Sequence, residues 1–231
     1  MPIIQDEEFG KITVRKSPAA SQIKVRVAPD GTLHASVPLH APMFLLKRLI
    51  KQSREDLRLM MEKAKPEYQY TNGMQIGKSH TLVVQESNNQ VVNVSLHGLQ
   101  IIVKLPYGQD ISNSDISRKV RDCVISALRI EAKSYLPKRL SFLAAKHGFT
   151  YQKVRFSHAS SRWGSCTSQG TISLNIALMK LPFELIDYVI IHELSHTKQM
   201  NHSTSFWAHV ESADPAYKLH RKLLKQQNPS I

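Results

Sequence analysis

"IDYVIIHELSHTKQMNHSTSFW", residues Ile186 to Trp207, decides the reading of this chain, because it sets an apolar run against His192, Glu193, His196 and His202. The segment that starts after Pro182 is apolar nearly all round, the composition of a helix buried inside a domain. At about 100° per residue, His192 and His196 stand one turn apart on the face that also carries Leu185 and Val189. Two imidazoles so placed can grip one metal ion. Glu193 lies about 100° round from His192, within reach of a metal-bound water without being a ligand, which is where a general base is needed.

Two histidines hold zinc weakly, so a third donor has to come from outside the helix. His202 is the nearest candidate. The intervening "TKQMN" leaves room for the helix to end, and Asn201 is expected to adopt the left-handed conformation that turns the chain back. Three imidazoles with an open fourth vertex make a catalytic zinc pattern, whereas structural sites are closed and cysteine-rich. Ligation needs neutral imidazole, and a pKa near 6.5 supplies it at neutral pH. His209 and Glu211 are weaker alternatives for the third ligand. Glu184, Asp187 and Asp214 are candidates for orienting a ligand ring, Tyr188 and Tyr217 for donating to an oxyanion, and Phe206 and Trp207 for packing that holds His202 in place.

Working outward, "RWGSC" (162–166) and "TISLN" (171–175) contain two extended segments, either of which could form the strand edge that pairs with a substrate backbone. Arg162 reads as charged support, Trp163 as packing and Gly164 as a bend. Arg162, Trp163, Ser165 and Tyr217 are the candidates for contacting substrate or supporting the ligands. Cys166 reads as a buried thiol, since nothing in the sequence supplies it with a base.

The N-terminal part alternates as strands do, in "KITVRK", "QIKVRV" and "LHASVP", with a Pro29-Asp30-Gly31 hairpin turn between the second and third. Residues 42–65 carry Met43, Leu46, Ile50, Leu57 and Met61 at helical spacing, closed by Pro66. "HTLVVQ", "QVVNVSL" and "LQIIVKLP" follow and are expected to form an antiparallel meander. A long helix then begins near Asn113, is interrupted or kinked near Pro137 and stops near Gly148. No internal repeat is apparent in the sequence. A boundary between Tyr107 and Asn113 divides a β-rich part, 1–110, from a C-terminal domain, 111–231.

Composition narrows the setting. The apolar content of 42% suits a packed core. No run of about eighteen apolar residues exists and the start lacks a secretory pattern, so a cytoplasmic protein with no membrane span is expected. Cys123 and Cys166 are read as free thiols of a reducing compartment. The net charge is +13, with 22 Lys and Arg against 13 Asp and Glu in residues 1–150, which points to nucleic acid as a partner beside a protein or peptide substrate.

"SSRWGSC", "ISLN", "IDYVIIHELSH", "NHSTSFW" and "DPAY", in that order, resemble the YgjP-like metallopeptidase family of zinc-dependent hydrolases, strongly over residues 150–225 and loosely before them. The resemblance implies that His192, His196 and His202 bind zinc and that Glu193 is the general base. That family is similar to SprT-like and WLM proteases, which cut proteins crosslinked to DNA. The fold expected is α+β, a β-rich N-terminal part followed by a zincin-like metallopeptidase domain with a small sheet and a His-Glu-x-x-His helix. Two other functions fit the same residues: a nucleic-acid-associated module with a structural zinc, and a metal-dependent hydrolase of a non-peptide bond.

Overall fold

The computed structural model describes residues 2–28, 32–63 and 70–231, so the Pro29-Asp30-Gly31 turn and Pro66 lie outside the described residues. The chain divides into two compact units, Met1–Gln69 and Tyr70–Ile231. The boundary drawn from the sequence at 110/111 separates a sheet from the helix that covers it.

In the first unit, β1 (Ile3–Asp6), β2 (Gly10–Ser17), β3 (Lys24–Val27) and β4 (Leu33–Pro38) form a sheet in the order β1-β2-β4-β3. Strict alternation puts Ile12, Val14, Leu33, Ala35 and Val37 on one face, where they bury against Leu46, Ile50 and Leu57. Those last three come from two helices, α1 (Met43–Gln52) and α2 (Arg54–Lys63), where one helix was expected. The break falls at Ser53, whose N–H still bonds to Leu49 O.

The second unit begins with β5 (Gln75–Ile76), β6 (His80–Ser87), β7 (Asn93–His97) and β8 (Gln100–Pro106), in the order β5-β6-β8-β7. This is not the expected meander: β6 and β8 are parallel neighbours and β7 lies on the far side of β8. It also overturns the absence of an internal repeat, because β2 and β4 are parallel in the first sheet too, and the registers coincide. Ser17 faces Pro38 in one sheet as Ser87 faces Pro106 in the other. Val25 pairs with Ala35 as Val94 pairs with Val103, and Gln5 pairs with Lys11 as Gln75 pairs with Thr81.

In both units the first hairpin turn is clasped by the helix that follows the sheet, with the charges reversed. In the first, Arg54 and Arg58 of α2 bind Glu8 and Arg54 also reaches Asp6. In the second, Glu131 of α3 (Ser114–His147) accepts hydrogen bonds from the backbone N–H groups of Lys78 (2.7 Å), Ser79 (2.8 Å) and His80 (3.2 Å) and from His80 Nδ1 (2.6 Å). Gly77, at φ 61°, is required there, since a Cβ would overlap the Glu131 carboxylate.

Helix α3 starts at an Asn113 cap, runs through Pro137 without interruption and ends at Gly148 in the left-handed conformation. Its buried stripe, Ile116, Val120, Val124, Ala127 and Leu128, lies against the second sheet. Helix α3 also meets a 3-10 turn at Ile176–Lys180 and β9 (Lys153–Ser157), which forms a third sheet with β10 (Gly164–Cys166) and β11 (Thr171–Asn175) in the order β10-β11-β9. The chain ends in α4 (Phe183–Ser195), α5 (Thr204–Ala213) and α6 (Tyr217–Leu224). The architecture is mixed α+β with several small sheets, and no helix among the described residues is long and apolar enough to cross a membrane.

Candidate active site

Helix α4 carries the site because its other faces are core: Ile186 and Ile190 are fully buried, and Leu185 and Val189 nearly so. Asp187 does not orient a ligand ring. It takes Arg139 of α3 in a two-pronged ion pair, with Nε to Oδ1 at 2.7 Å, which locks α4 on the scaffold helix.

His192 and Glu193 lie in the last turn of α4, and His196 is its C-terminal cap. The chain reverses through a turn in which Thr197 N–H bonds to Leu194 O (3.0 Å) and Gln199 N–H to Ser195 O (3.0 Å). The expected left-handed Asn201 is not found: no non-glycine residue among those described has positive φ, because these short-range bonds reverse the chain without it. His202 follows, immediately before Ser203, whose Oγ caps α5 by accepting from Phe206 N–H. Capping therefore fixes where the third histidine enters.

The three rings converge. His192, His196 and His202 each present a nitrogen, all within 4.8 Å of one another, and His192 Nε2 lies 3.2 Å from His202 Nε2. Two ligands of a tetrahedral ion, at a metal–nitrogen distance of about 2.0 Å, stand about 3.3 Å apart, the spacing of the His192 and His202 nitrogens, and the third nitrogen lies within 4.8 Å of both. His209 and Glu211 are not part of the group. His196 Nδ1 faces Gln199 O at 3.2 Å, which leaves Nε2 for a metal. His192 Nδ1 is buried with no hydrogen-bond partner among the described residues.

Aromatic rings hold this cluster. Phe206, fully buried, lies 4.5 Å from His196, 4.7 Å from His202 and 5.0 Å from His192, centroid to centroid. Trp207 stacks on His202 at 5.8 Å and on Tyr217 at 5.5 Å, so Tyr217, 7% exposed, backs the His202 ring through Trp207. Arg221 covers the Trp207 ring at 4.6 Å. Burial first, then the neighbouring imidazoles and Arg221, pushes His192 down to about 3. Burial likewise lowers His196. Both rings are neutral at physiological pH, the form a metal binds.

Glu193 is 6% exposed, and burial pushes its carboxyl up to about 8, opposed by the positive charge of Arg162. It sits under β10, an edge strand of its sheet, whereas β11, the other extended segment, is central. Ser165 of β10 pairs with Ser173 on the central strand β11. A Cβ on Gly164 would lie 2.6 Å from Glu193 Oε1 and 2.7 Å from its Cγ, so this position is glycine to make room for the carboxylate. Gly164→Ala is expected to lower kcat on the order of 100-fold by displacing that group, with metal content unchanged. Equal kcat in the variant would show that Glu193 tolerates the shift.

Sequence reasoning passed over Asn175, which is fully buried. Its Nδ2 donates to Ala159 O (2.6 Å) and Arg162 O (2.8 Å), and its own N–H to Trp163 O (2.8 Å), so one side chain shapes the 159–163 loop that carries Arg162 and Trp163. An asparagine closing an apolar strand just before another apolar run was the available signal. The second omission is His220, whose Nδ1 meets Asp214 Oδ2 at 2.7 Å beside Tyr188, itself 6.0 Å from His192. Asp214 therefore orients His220 and not a ligand ring. Cys166 is half-buried with its thiol pushed up to about 11 by burial and then by Glu193, which makes it inert as a nucleophile.

Residues 21–227 match the YgjP-like metallopeptidase domain. The chain belongs to the YgjP-like family. Among solved structures it is similar to the crystal structure of the metallopeptidase zymogen of Pyrococcus abyssi abylysin, with 29% identity over 41% of this chain and 98% of that chain and a TM-score of 0.36. No curated protein matches it. Membership makes this YgjP-like chain a metal-dependent peptidase at the level of the family.

The buried carboxyl gives the metal-free YgjP-like protein a signature. With a folded pKa near 8 and an ordinary value of 4.5, Glu193 is protonated when folded and ionised when unfolded between those pH values. The unfolded state then binds fewer protons, so this group's contribution to stability falls as pH rises from 4.5 to 8. Metal-free Glu193→Gln is expected to match the parent near pH 4 and to exceed it by a few kcal/mol above pH 8. Denaturant titrations at the two pH values measure this, and equal stability at both would contradict it.

Proposed function

We propose that the chain is a zinc-dependent metallopeptidase that hydrolyses peptide bonds, with its catalytic machinery in residues 111–231, a zincin-like arrangement. The observation that carries the reading is the meeting of three imidazoles beside a buried carboxyl under an edge strand. His192, His196 and His202 would hold the ion. Zinc, when bound, supplies Lewis acidity that polarises a carbonyl and acidifies a water.

The protein's own groups do the rest. Glu193, held as the carboxylate beside the three imidazoles once they carry a cation, would take a proton from water and return it to the leaving amine nitrogen. Edge strand β10 offers backbone groups to an extended peptide, which orients the scissile bond over Glu193. Arg162 adds positive charge beside the base, and Trp163 and Ser165 line the approach. Free Cys123 and Cys166 support a reducing compartment, the cytoplasm.

A peptide library incubated with the zinc-loaded protein and, in parallel, with its Glu193→Gln variant tests this. Cleavage at internal peptide bonds by the parent alone is expected. Absence of peptide cleavage from a protein that binds one zinc would sink the peptidase reading and leave hydrolysis of another bond.

A further inference from the structure

The repeated sheets act as a control on each other. On the face of the first sheet turned away from α1 and α2, alternation and register place Lys11, Thr13 and Arg15 of β2, Lys24 and Arg26 of β3, His34 and Ser36 of β4, and Gln5 of β1. Lys11, Arg15, Lys24 and Arg26 are exposed, and none makes an ion pair among the described residues. No strand residue on this face is acidic.

The matching positions of the second sheet are occupied by Thr81, Gln85, Asn93 and Ser95, and Lys104 is the single lysine or arginine on that face. The same strand order and register are therefore built without the four charges, so the fold does not require them. Bringing four unpaired cations together on one face has an electrostatic cost, and the second sheet shows that neutral polar residues serve as well structurally.

We propose that the open face of the first sheet binds a nucleic-acid strand through its phosphates. Lys24 and Arg26 lie about 7 Å apart along β3, Lys11 and Arg15 about 13 Å apart along β2, and Arg15 faces Lys24 about 10 Å away across β4, flanked by the hydroxyls of Thr13 and Ser36 and the amide of Gln5, all of which can donate to phosphate oxygens. The strands of this face carry no Phe, Tyr or Trp, and His34 is the single ring among them, so the face has no platform for stacking successive bases and binding is independent of sequence. An acidic protein partner fits less well, because a stable protein interface has an apolar centre and this face has only Ile3, at its margin. This binding is separate from hydrolysis and does not depend on the metal.

Fluorescence anisotropy with a labelled DNA strand of about 20 nucleotides, measured against salt, tests the assignment. The decisive variant carries Lys11→Thr, Arg15→Gln, Lys24→Asn and Arg26→Ser, the residues that the second sheet holds at those positions. Affinity should fall on the order of 100-fold at about 0.1 M salt, and the slope of log affinity against log salt should become shallower by about three. A control removes four exposed cations from α3, Lys119, Lys133, Lys138 and Lys146, each to Gln, and should retain most of the affinity. The paired changes Lys11→Thr/Arg15→Gln and Lys24→Asn/Arg26→Ser should each cause an intermediate loss, which covers poor folding of the fourfold variant. Unchanged binding in the face variant, an equal loss in the α3 control, or poly-glutamate binding as tightly as DNA would each overturn the proposal.

Discussion

Zinc-loaded Glu193→Gln is expected to lose at least about a thousandfold in kcat, and still to bind one metal ion per chain. The change keeps the size of the side chain and removes its ability to accept a proton. Glu193 is not among the three converging nitrogens, so the donors remain as they are. Its carboxyl lies where a Cβ at Gly164 would collide with it, a position shaped around that group. Steady-state hydrolysis of the best library peptide, with metal content measured on the same sample, separates the roles. Loss of activity together with the metal would make Glu193 a ligand, and retained activity would remove it from the chemistry.

Glu131→Ala is expected to be the most damaging substitution away from the site. The carboxylate is 7% exposed and serves three backbone N–H groups and the His80 ring, all within hydrogen-bond range. Removal strands these donors with no replacement, at a cost of about 4 kcal/mol or more. In a protein of this size that corresponds to a fall in melting temperature of roughly 10 °C, read by calorimetry. A fall of under about 3 °C would mean that water replaces the carboxylate and that the clasp between α3 and the β5–β6 turn is dispensable. The effect reaches the site through α3, since Arg139 on the same helix holds α4 by Asp187.

The sequence made the site more legible than the scaffold, for physical reasons. Helical periodicity is a local rule, so His192, Glu193 and His196 could be placed on α4 from spacing. Strand alternation reports which face a residue occupies but not which neighbour it pairs with or in what direction. "HTLVVQ" and "LQIIVKLP" were therefore recognisable as extended, while their parallel pairing across β7 was not. The repeat escaped notice for a related reason. Correspondences such as Gln5 with Gln75 and Val25 with Val94 are scattered among positions where only polarity is shared, and β5 is two residues long. Ser53 and Asn201 failed in opposite directions: one broke a helix whose apolar spacing continued across it, and the other was not used because shorter-range bonds already closed the turn. Gly164 and Asn175 were invisible as site residues because their roles depend on what the third dimension brings near them.

The central claim is that three imidazoles of this chain hold one catalytic ion and leave a vertex free of protein. X-ray absorption at the zinc edge, on purified protein carrying one metal ion per chain, tests it most directly. The account predicts three nitrogen scatterers of imidazole type and one oxygen at about 2.0 Å, with the site emptied by His202→Ala. A sulfur scatterer, a fourth imidazole, or an unchanged spectrum in His202→Ala would contradict it.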